Sequence, residues 1–167
     1  MLELYRTFAQ YSRWMNGKLY EVCATFSDEE RKLQRGAPFG SMHGNLNHTL
    51  LADKVWLARF TGEIFVPKSL ADEVHSDYDD LRAARHATDD GIEAYVNSLS
   101  EEQLGAPFTY RSFVIPRDHT FPLWFCLAHM FNHQTHHRGQ LTALIEQAGG
   151  DCGVSDFLQL PVELREF

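Results

Sequence analysis

Apolar residues recur at steps of three and four along the start of the chain, and this spacing restricts the folds that the chain can adopt. Between residues 2 and 26 they form one stripe on a helix of 3.6 residues per turn, at Leu4, Phe8, Tyr11, Met15, Leu19, Val22 and Phe26. The pattern predicts an amphipathic helix over about residues 2–26, with its apolar side buried against other elements.

Helix start and stop signals predict three further long helices. Ser41 begins the second helix, which ends at Thr61-Gly62. Asp77 and the acidic residues after it begin the third, where negative charge favours a helix N-terminus. Gly149-Gly150 ends the last. The predicted ranges are 41–61, 77–99 and 122–148.

The segments between these helices have compositions of their own. Ser27 and Ser100 are each followed three residues later by Glu or Gln, which is the capping box of a new helical turn. The aromatic and β-branched residues of 110–120, together with Pro116, predict a short irregular hairpin or extended loop. Residues 151–167 are expected to form a tail that packs on the surface.

The tetrapeptide Gly-Ala-Pro-Phe occurs twice, at 36–39 and at 105–108. Each copy follows a long helix and a serine cap, and each precedes a helix with an Asn-His pair, Asn47-His48 or Asn132-His133. A four-residue identity can arise by chance, but the shared order of elements favours an internal repeat, with the second and fourth helices as equivalents. We therefore predict an all-α fold, an up-down four-helix bundle with a short β-hairpin before the last long helix. The 167 residues are expected to form a single domain, 1–167.

Nine histidines are present, and four of them lie between residues 129 and 137. His133 and His137 are four residues apart, so on a helix they project from the same side and can both reach one metal ion. Such pairs also occur on helix surfaces without metal. This helix, however, is the most apolar in the chain and is expected to be largely buried. Buried imidazoles need polar partners, and a shared metal ion is one such partner.

His48 is the expected third ligand. The apparent repeat places it where His133 lies in the second half, and it shares a helix face with Leu51 and Val55. For His48 taken alone, a core histidine bonded to a neighbouring acceptor is the alternative. His129 lies one turn before His133, so it can be a fourth ligand, a residue behind the ligands or a core residue.

The segment 132–141, Asn-His-Gln-Thr-His-His-Arg-Gly-Gln-Leu, resembles the signature of the DinB family. The segment 46–56 resembles that family's second-helix motif more loosely, and the resemblance covers nearly the whole chain. It implies a four-helix bundle, commonly a homodimer, with a nickel or zinc ion held by three histidines. Matched by position, these are His48, His133 and His137.

Three protein ligands leave one coordination position open, which is typical of a catalytic site and not of a structural one. Such a site can activate a water molecule or a thiol, and relatives of the family include thiol-dependent transferases. The sequence therefore favours a metal-dependent hydrolase or a small-thiol transferase that acts on a small molecule. The alternative is a non-catalytic metal-binding stress-response protein, in which the metal mainly stabilises the bundle.

The residues near the ligands narrow the chemistry. Gln134 occupies the position at which a His-Glu-x-x-His protease has its glutamate, and no Glu-x-x-His pair is placed for a diiron site. Asp53 is interpreted as a surface charge or as an acceptor behind the ligands. Arg138 is interpreted as an anion-binding group or as a salt-bridge partner of a neighbouring helix. No general base can be assigned.

Composition excludes several other classes of function. A net charge of −8 argues against a nucleic-acid partner, since that affinity depends on clustered Lys and Arg. No window approaches the roughly 20 apolar residues of a membrane helix, and the first residues lack the pattern of a signal peptide, so the cytoplasm is expected. The three cysteines are scattered singly, which predicts buried or half-buried thiols and no disulfide or zinc knuckle.

Overall fold

The computed structural model describes residues 1–113 and 115–165. This part of the chain contains two strands and six α-helices: α1 (Leu2–Ala24), α2 (Asp28–Lys32), α3 (Met42–Thr61), α4 (Tyr78–Ser98), α5 (Glu101–Gly105) and α6 (Leu123–Gln147). The strands β1 (Pro107–Arg111) and β2 (Asp118–Pro122) pair in antiparallel fashion between α5 and α6. The predicted fold class, a helical bundle with a short hairpin before the last long helix, is confirmed.

The ends of the helices follow the capping signals of the sequence. Ser27, Ser41, Asp77 and Ser100 each accept a hydrogen bond from a backbone N–H in the first turn of the following helix. Gly62 ends α3 with a φ of 77°, in the left-handed region that favours glycine. Side-chain caps therefore mark where α2, α3, α4 and α5 begin, and the predicted boundaries of the long helices lie close to the observed ones.

The four long helices form a bundle in which α1 and α3 each pack on α4 and α6. The pairs α1–α4 and α3–α6 are antiparallel, whereas α1–α6 and α3–α4 are parallel. The parallel directions follow from the contact pairs Tyr5–Trp124, Ser12–Arg138, Asp53–Arg85 and Phe60–Tyr95. In chain order the directions are up, down, down and up, so the helices do not alternate as the predicted up-down order requires. The long connection over residues 62–77 returns the chain before α4 begins, which makes α3 and α4 parallel.

Two apolar clusters fill the bundle, one toward each end. One cluster includes Met15, Leu50, Leu81, Leu144 and Ile145, and the other includes Ile92, Val96, Leu127, Met130 and Phe131. Buried polar side chains lie on the segments of the helices between the clusters, namely Asn16, Asp53, Arg85, Asp89, Gln134 and Arg138. The core is therefore apolar at its ends and polar in its middle.

The remaining features agree with the predicted packing. All three cysteines are buried and free, as expected. The described part of the tail, residues 151–165, packs on the bundle through Cys152, Phe157 and Leu160, while residues 166–167 lie outside the described residues. Within the described chain, none of the helices is both long enough and apolar enough to cross a membrane.

Candidate metal centre

Helices α3 and α6 bring three imidazoles together in the middle of the bundle. His48, His133 and His137 each offer one nitrogen, and these atoms all lie within 4.8 Å of one another. His133 and His137 approach through their Nε2 atoms, which are 3.0 Å apart, as their spacing of four on one helix allows. His48 and His137 are buried and His133 is half-buried. The structure thus assembles the three histidines that the sequence singles out as candidate ligands.

Outer hydrogen bonds fix the orientation of two of these rings. The Nδ1–H of His48 donates to the Leu70 carbonyl at 2.8 Å, and the Nδ1–H of His137 donates to Gln140 Oε1 at 2.9 Å. In these tautomers, each Nε2 keeps its lone pair. Acceptors behind metal-binding histidines usually have this role, since they fix the tautomer and make the ring more basic.

Burial keeps the three imidazoles neutral. Desolvation, followed by repulsion from His137 and His48, lowers the pKa of His133 to about 3. Desolvation and repulsion from His48 lower the pKa of His137 to about 4. Burial also lowers the pKa of His48. All three rings therefore present lone pairs at neutral pH, which is the state that a metal ion requires.

The other nearby histidines stay outside this group. The ring centroid of His129 is 6.2 Å from that of His133, and His129 packs against Trp56 at 5.1 Å. His136 is exposed, and its Nε2 bonds to the amide of Gln140. Among the described residues, the group that can hold a metal ion therefore consists of three histidines and has no fourth protein ligand.

Phe39 covers one side of the group. Its ring stacks on His48 with centroids 3.6 Å apart, and its edge faces His137 at 5.5 Å. The φ of Phe39 is 63°, a left-handed conformation that costs a bulky residue about 1–3 kcal/mol and is concentrated at functional sites. Gly44 permits this loop position, because a Cβ there would lie 2.0 Å from the Phe39 carbonyl oxygen. A loop that packs tightly on α3 thus closes this side.

Two cavities border His48. A cavity of about 150 Å³ is lined by both His48 and His133, together with Trp56, Arg59 and Tyr110. A larger cavity of about 420 Å³ is lined by Phe39 and His48 but by neither of the other two histidines. The smaller cavity therefore gives the more direct access to the point at which the three nitrogens meet.

Asp53 belongs to the polar middle of the core, so its interpretation as a surface charge is wrong. It is fully buried, and one carboxylate oxygen accepts a hydrogen bond from Arg85 Nη1 at 2.6 Å. Arg85 also pairs with Asp89 at 2.7 Å, and Asp89 accepts from Asn16. Burial raises the pKa of Asp53, while the charge of Arg85 opposes this shift. Helix α4 supplies the partner that covers Asp53, which the pattern of α3 alone cannot reveal.

Arg138 joins α6 to α1 without an ion pair. Its guanidinium donates to Ser12 at 3.3 Å and to Thr135 at 3.2 Å, and it lies over the ring of Tyr11. Among the described residues, no carboxylate lies within ion-pair distance of it. The predicted salt bridge is therefore not observed among the described residues, and Arg138 joins α6 to α1 through the Ser12 hydroxyl.

Similarity to known proteins identifies the family of this chain. The family model for the DinB family matches residues 1–162. Protein DinB of Bacillus subtilis (strain 168) is 25% identical over 154 residues, which cover 89% of this chain and 88% of that protein. The crystal structure of a DinB-like protein from Bacillus cereus ATCC 10987 has the same fold, with a TM-score of 0.62 and 20% identity over 88% of this chain and 94% of that one. The chain therefore belongs to the DinB family.

Proposed function

We propose that His48, His133 and His137 bind one divalent transition metal ion, nickel or zinc, and that the chain is a metal-dependent enzyme acting on a small molecule. The observation that supports this most strongly is the meeting of three neutral imidazoles, two of them fixed by outer acceptors. Nitrogen ligands suit both metals, so the geometry supports either ion.

The spacing of the ligand atoms fits such an ion. Nitrogens around a tetrahedral zinc ion lie about 3.3 Å apart when the metal–nitrogen distances are 2.0–2.1 Å. The observed nitrogens are 3.0 Å apart for His133 and His137, and all three lie within 4.8 Å. The buried Nδ1 of His133 has no partner among the described residues. The donor set, three imidazoles without a carboxylate, is one that zinc enzymes use.

An open side favours catalysis over a purely stabilising role. When bound, the ion would supply a Lewis acid that activates a water molecule or a thiol. The chain's own residues would hold the ion from three directions, and Phe39 would exclude water from one face. His129 lies outside the group, whereas a non-catalytic site would be expected to have a fourth ligand closing it. A hydrolase and a small-thiol transferase are both consistent with this arrangement.

Elemental analysis of protein purified without a histidine tag tests the metal. We expect about one nickel or zinc ion per chain for the wild type and for the control H129A, and loss of the ion in H48A and H137A, because two ligands hold a metal far more weakly than three. Full metal content in H48A would overturn the three-ligand site.

A screen of thiol and ester substrates, with and without the identified ion, tests catalysis. We expect turnover by the loaded wild type and none by H48A. A loaded protein that is inactive across the screen would favour the non-catalytic alternative. The small-molecule substrate, the homodimer and the cytoplasmic location stay predictions.

A further inference from the structure

One face of α3 continues from His48 toward the end of the helix. Residues four, seven, eight and eleven positions after a given residue lie on the same side of a helix. On α3 these positions are occupied by Ala52, Val55, Trp56 and Arg59, all of which line the cavity of about 150 Å³ beside His48 and His133. Leu70 and the hairpin residues Tyr110, Ser112 and Phe113 complete its wall. The cavity therefore extends from the candidate metal centre to Arg59.

Arg59 is held in place by aromatic rings. Its guanidinium carbon lies 4.7 Å from the ring centroids of both Trp56 and Tyr110, and 5.4 Å from that of Phe113. Its Nη2 donates to the Arg111 carbonyl at 3.1 Å. Contact with Trp56, one turn earlier, shows that the side chain points back along α3 toward His48. The position of the charge is therefore fixed before any ligand arrives.

This charge has no counter-charge within the described chain. None of the described carboxylates lies within ion-pair distance of Arg59. The described residues that line the cavity include neither Asp nor Glu, although the chain has 23 acidic residues and a net charge of −8. Burial lowers the pKa of Arg59, yet an arginine remains charged at neutral pH. A fixed, half-buried guanidinium without a carboxylate is suited to bind an anion.

We propose that Arg59 binds the carboxylate of a small organic anion whose other end lies at the three-histidine site. This inference rests on the proposed function, since it assumes that the reacting group is held near His48 and His133. Three helical turns separate His48 from Arg59, which is about 16 Å along the axis, and the backward direction of the arginine side chain shortens this gap. The ligand must therefore span several bonds, and its middle part would lie against the apolar wall of Trp56 and Tyr110.

Calorimetric titration with dicarboxylates tests the proposal. Straight-chain dicarboxylates from succinate to suberate would be compared with monocarboxylates of equal length, on nickel-loaded and metal-free protein. One dicarboxylate length should bind the loaded wild type better than its monocarboxylate, because only that length reaches both the ion and Arg59. R59Q should weaken its binding at least about tenfold, the effect of losing a charge-assisted hydrogen bond.

Two variants separate recognition from support of the fold. R59K keeps the charge but not the two-pronged donor, so it should bind the dicarboxylate with intermediate affinity. R82Q removes a partly exposed arginine that pairs with Asp79 on α4, and it should bind like the wild type. If R59Q fails to fold, R59K provides the test, because an affinity for the dicarboxylate equal to that of the wild type in R59K would overturn the proposal.

The outcomes for the metal and for Arg59 can be told apart. Loaded protein that binds none of the carboxylates, or R59Q that binds them as the wild type does, would overturn the role of Arg59 and leave the metal site intact. Protein that takes up no metal but binds carboxylates in an Arg59-dependent way would overturn the proposed function and support the anion site.

Discussion

Two buried polar regions lie side by side in the middle of this bundle, and they differ in how their charges are balanced. In the ion-pair layer, which consists of Asp53, Arg85 and Asp89, the guanidinium has a carboxylate on two sides at 2.6 and 2.7 Å. In the histidine group, His48, His133 and His137, like groups face one another and repel when protonated. The layer pairs opposite charges within the chain, whereas the histidine group brings together three like groups that a bound cation would join.

This difference assigns separate tasks to the two regions. The layer joins α3 to α4, and Asn16 extends it to α1, so it contributes to the alignment of three helices. The histidine group joins only α3 and α6 and leaves one side open toward a cavity. We therefore expect damage to the layer to appear as lost stability, and damage to the histidine group to appear as lost metal.

The largest effect is expected when the ion-pair layer loses its cation. R85M leaves Asp53 and Asp89 buried without a cationic partner, which should lower the free energy of unfolding by about 3–5 kcal/mol. Urea denaturation of metal-free protein measures the change. The matched control R82M breaks an exposed pair on the same helix and should cost no more than about 1 kcal/mol. Equal losses in the two variants would contradict the central role given to the layer.

Metal removal should have the next largest effect, and only where the histidine group is intact. A ligand at one hundred times its Kd stabilises a protein by about 2.7 kcal/mol, which for a chain of this size raises Tm by about 5–10 °C. Treatment with EDTA should therefore lower the Tm of loaded wild type and of H129A, but leave H137A unchanged. A Tm in H137A that responds to EDTA as the wild type does would show that the stabilising metal lies elsewhere.

The sequence could predict those parts of the structure that depend on local chemistry. Ser41, Asp77 and Ser100 cap helices wherever they precede a helical segment, so the boundaries follow from short stretches of chain. His133 and His137 share a face because they are four residues apart. The apparent repeat predicts His48 as the third ligand. The order of long helix, five-residue helix and long helix does occur in both halves of the chain. The repeat itself stays a prediction.

The remaining parts depend on contacts between distant segments. Leu70 supplies a backbone carbonyl to His48, and no side-chain pattern marks a carbonyl. The left-handed conformation of Phe39 depends on how its loop meets α3. Arg59 lies on the same face of α3 as His48, which the sequence can predict. Its aromatic surroundings include Tyr110 from the hairpin, which the sequence of α3 cannot predict. Gln140 is the exception, since a spacing of three from His137 on one helix places it within reach.

Gln140 provides a way to weaken the metal centre without removing a ligand. Its Oε1 accepts from His137 Nδ1, and the loss of such an outer acceptor typically costs 10–100-fold in metal affinity. Q140A should therefore still bind one ion, with an affinity lower by about this factor in a competition titration with a chelator. Q103A is the control, because Gln103 caps α5 and lies outside the group. An affinity in Q140A equal to that of the wild type would show that the acceptor does not tune the site.

Acidification should change the free energy of unfolding in opposite directions through the two regions. Each histidine contributes a slope of at most about 1.4 kcal/mol per pH unit. The pKa values of His133 and His137 are lowered to about 3 and about 4, so between these values and about 6.5 the unfolded chain binds more protons than the folded one. Metal-free protein should therefore lose stability as the pH falls from 6.5 toward 4. Asp53 acts in the opposite direction just above pH 3.8, because its pKa is raised in the folded state.

Urea titrations of metal-free protein at several pH values between 7 and about 4 would measure this slope. Replacement of both histidines in H133A/H137A should make the slope shallower, because the two histidines with the most strongly lowered pKa values no longer take up protons on unfolding. H86Q, which removes an exposed histidine of α4, should retain the wild-type slope. If the double variant kept the same slope as H86Q, the proton uptake would not arise from His133 and His137. The contrast between a layer of paired opposite charges and a group of like imidazoles would then fail.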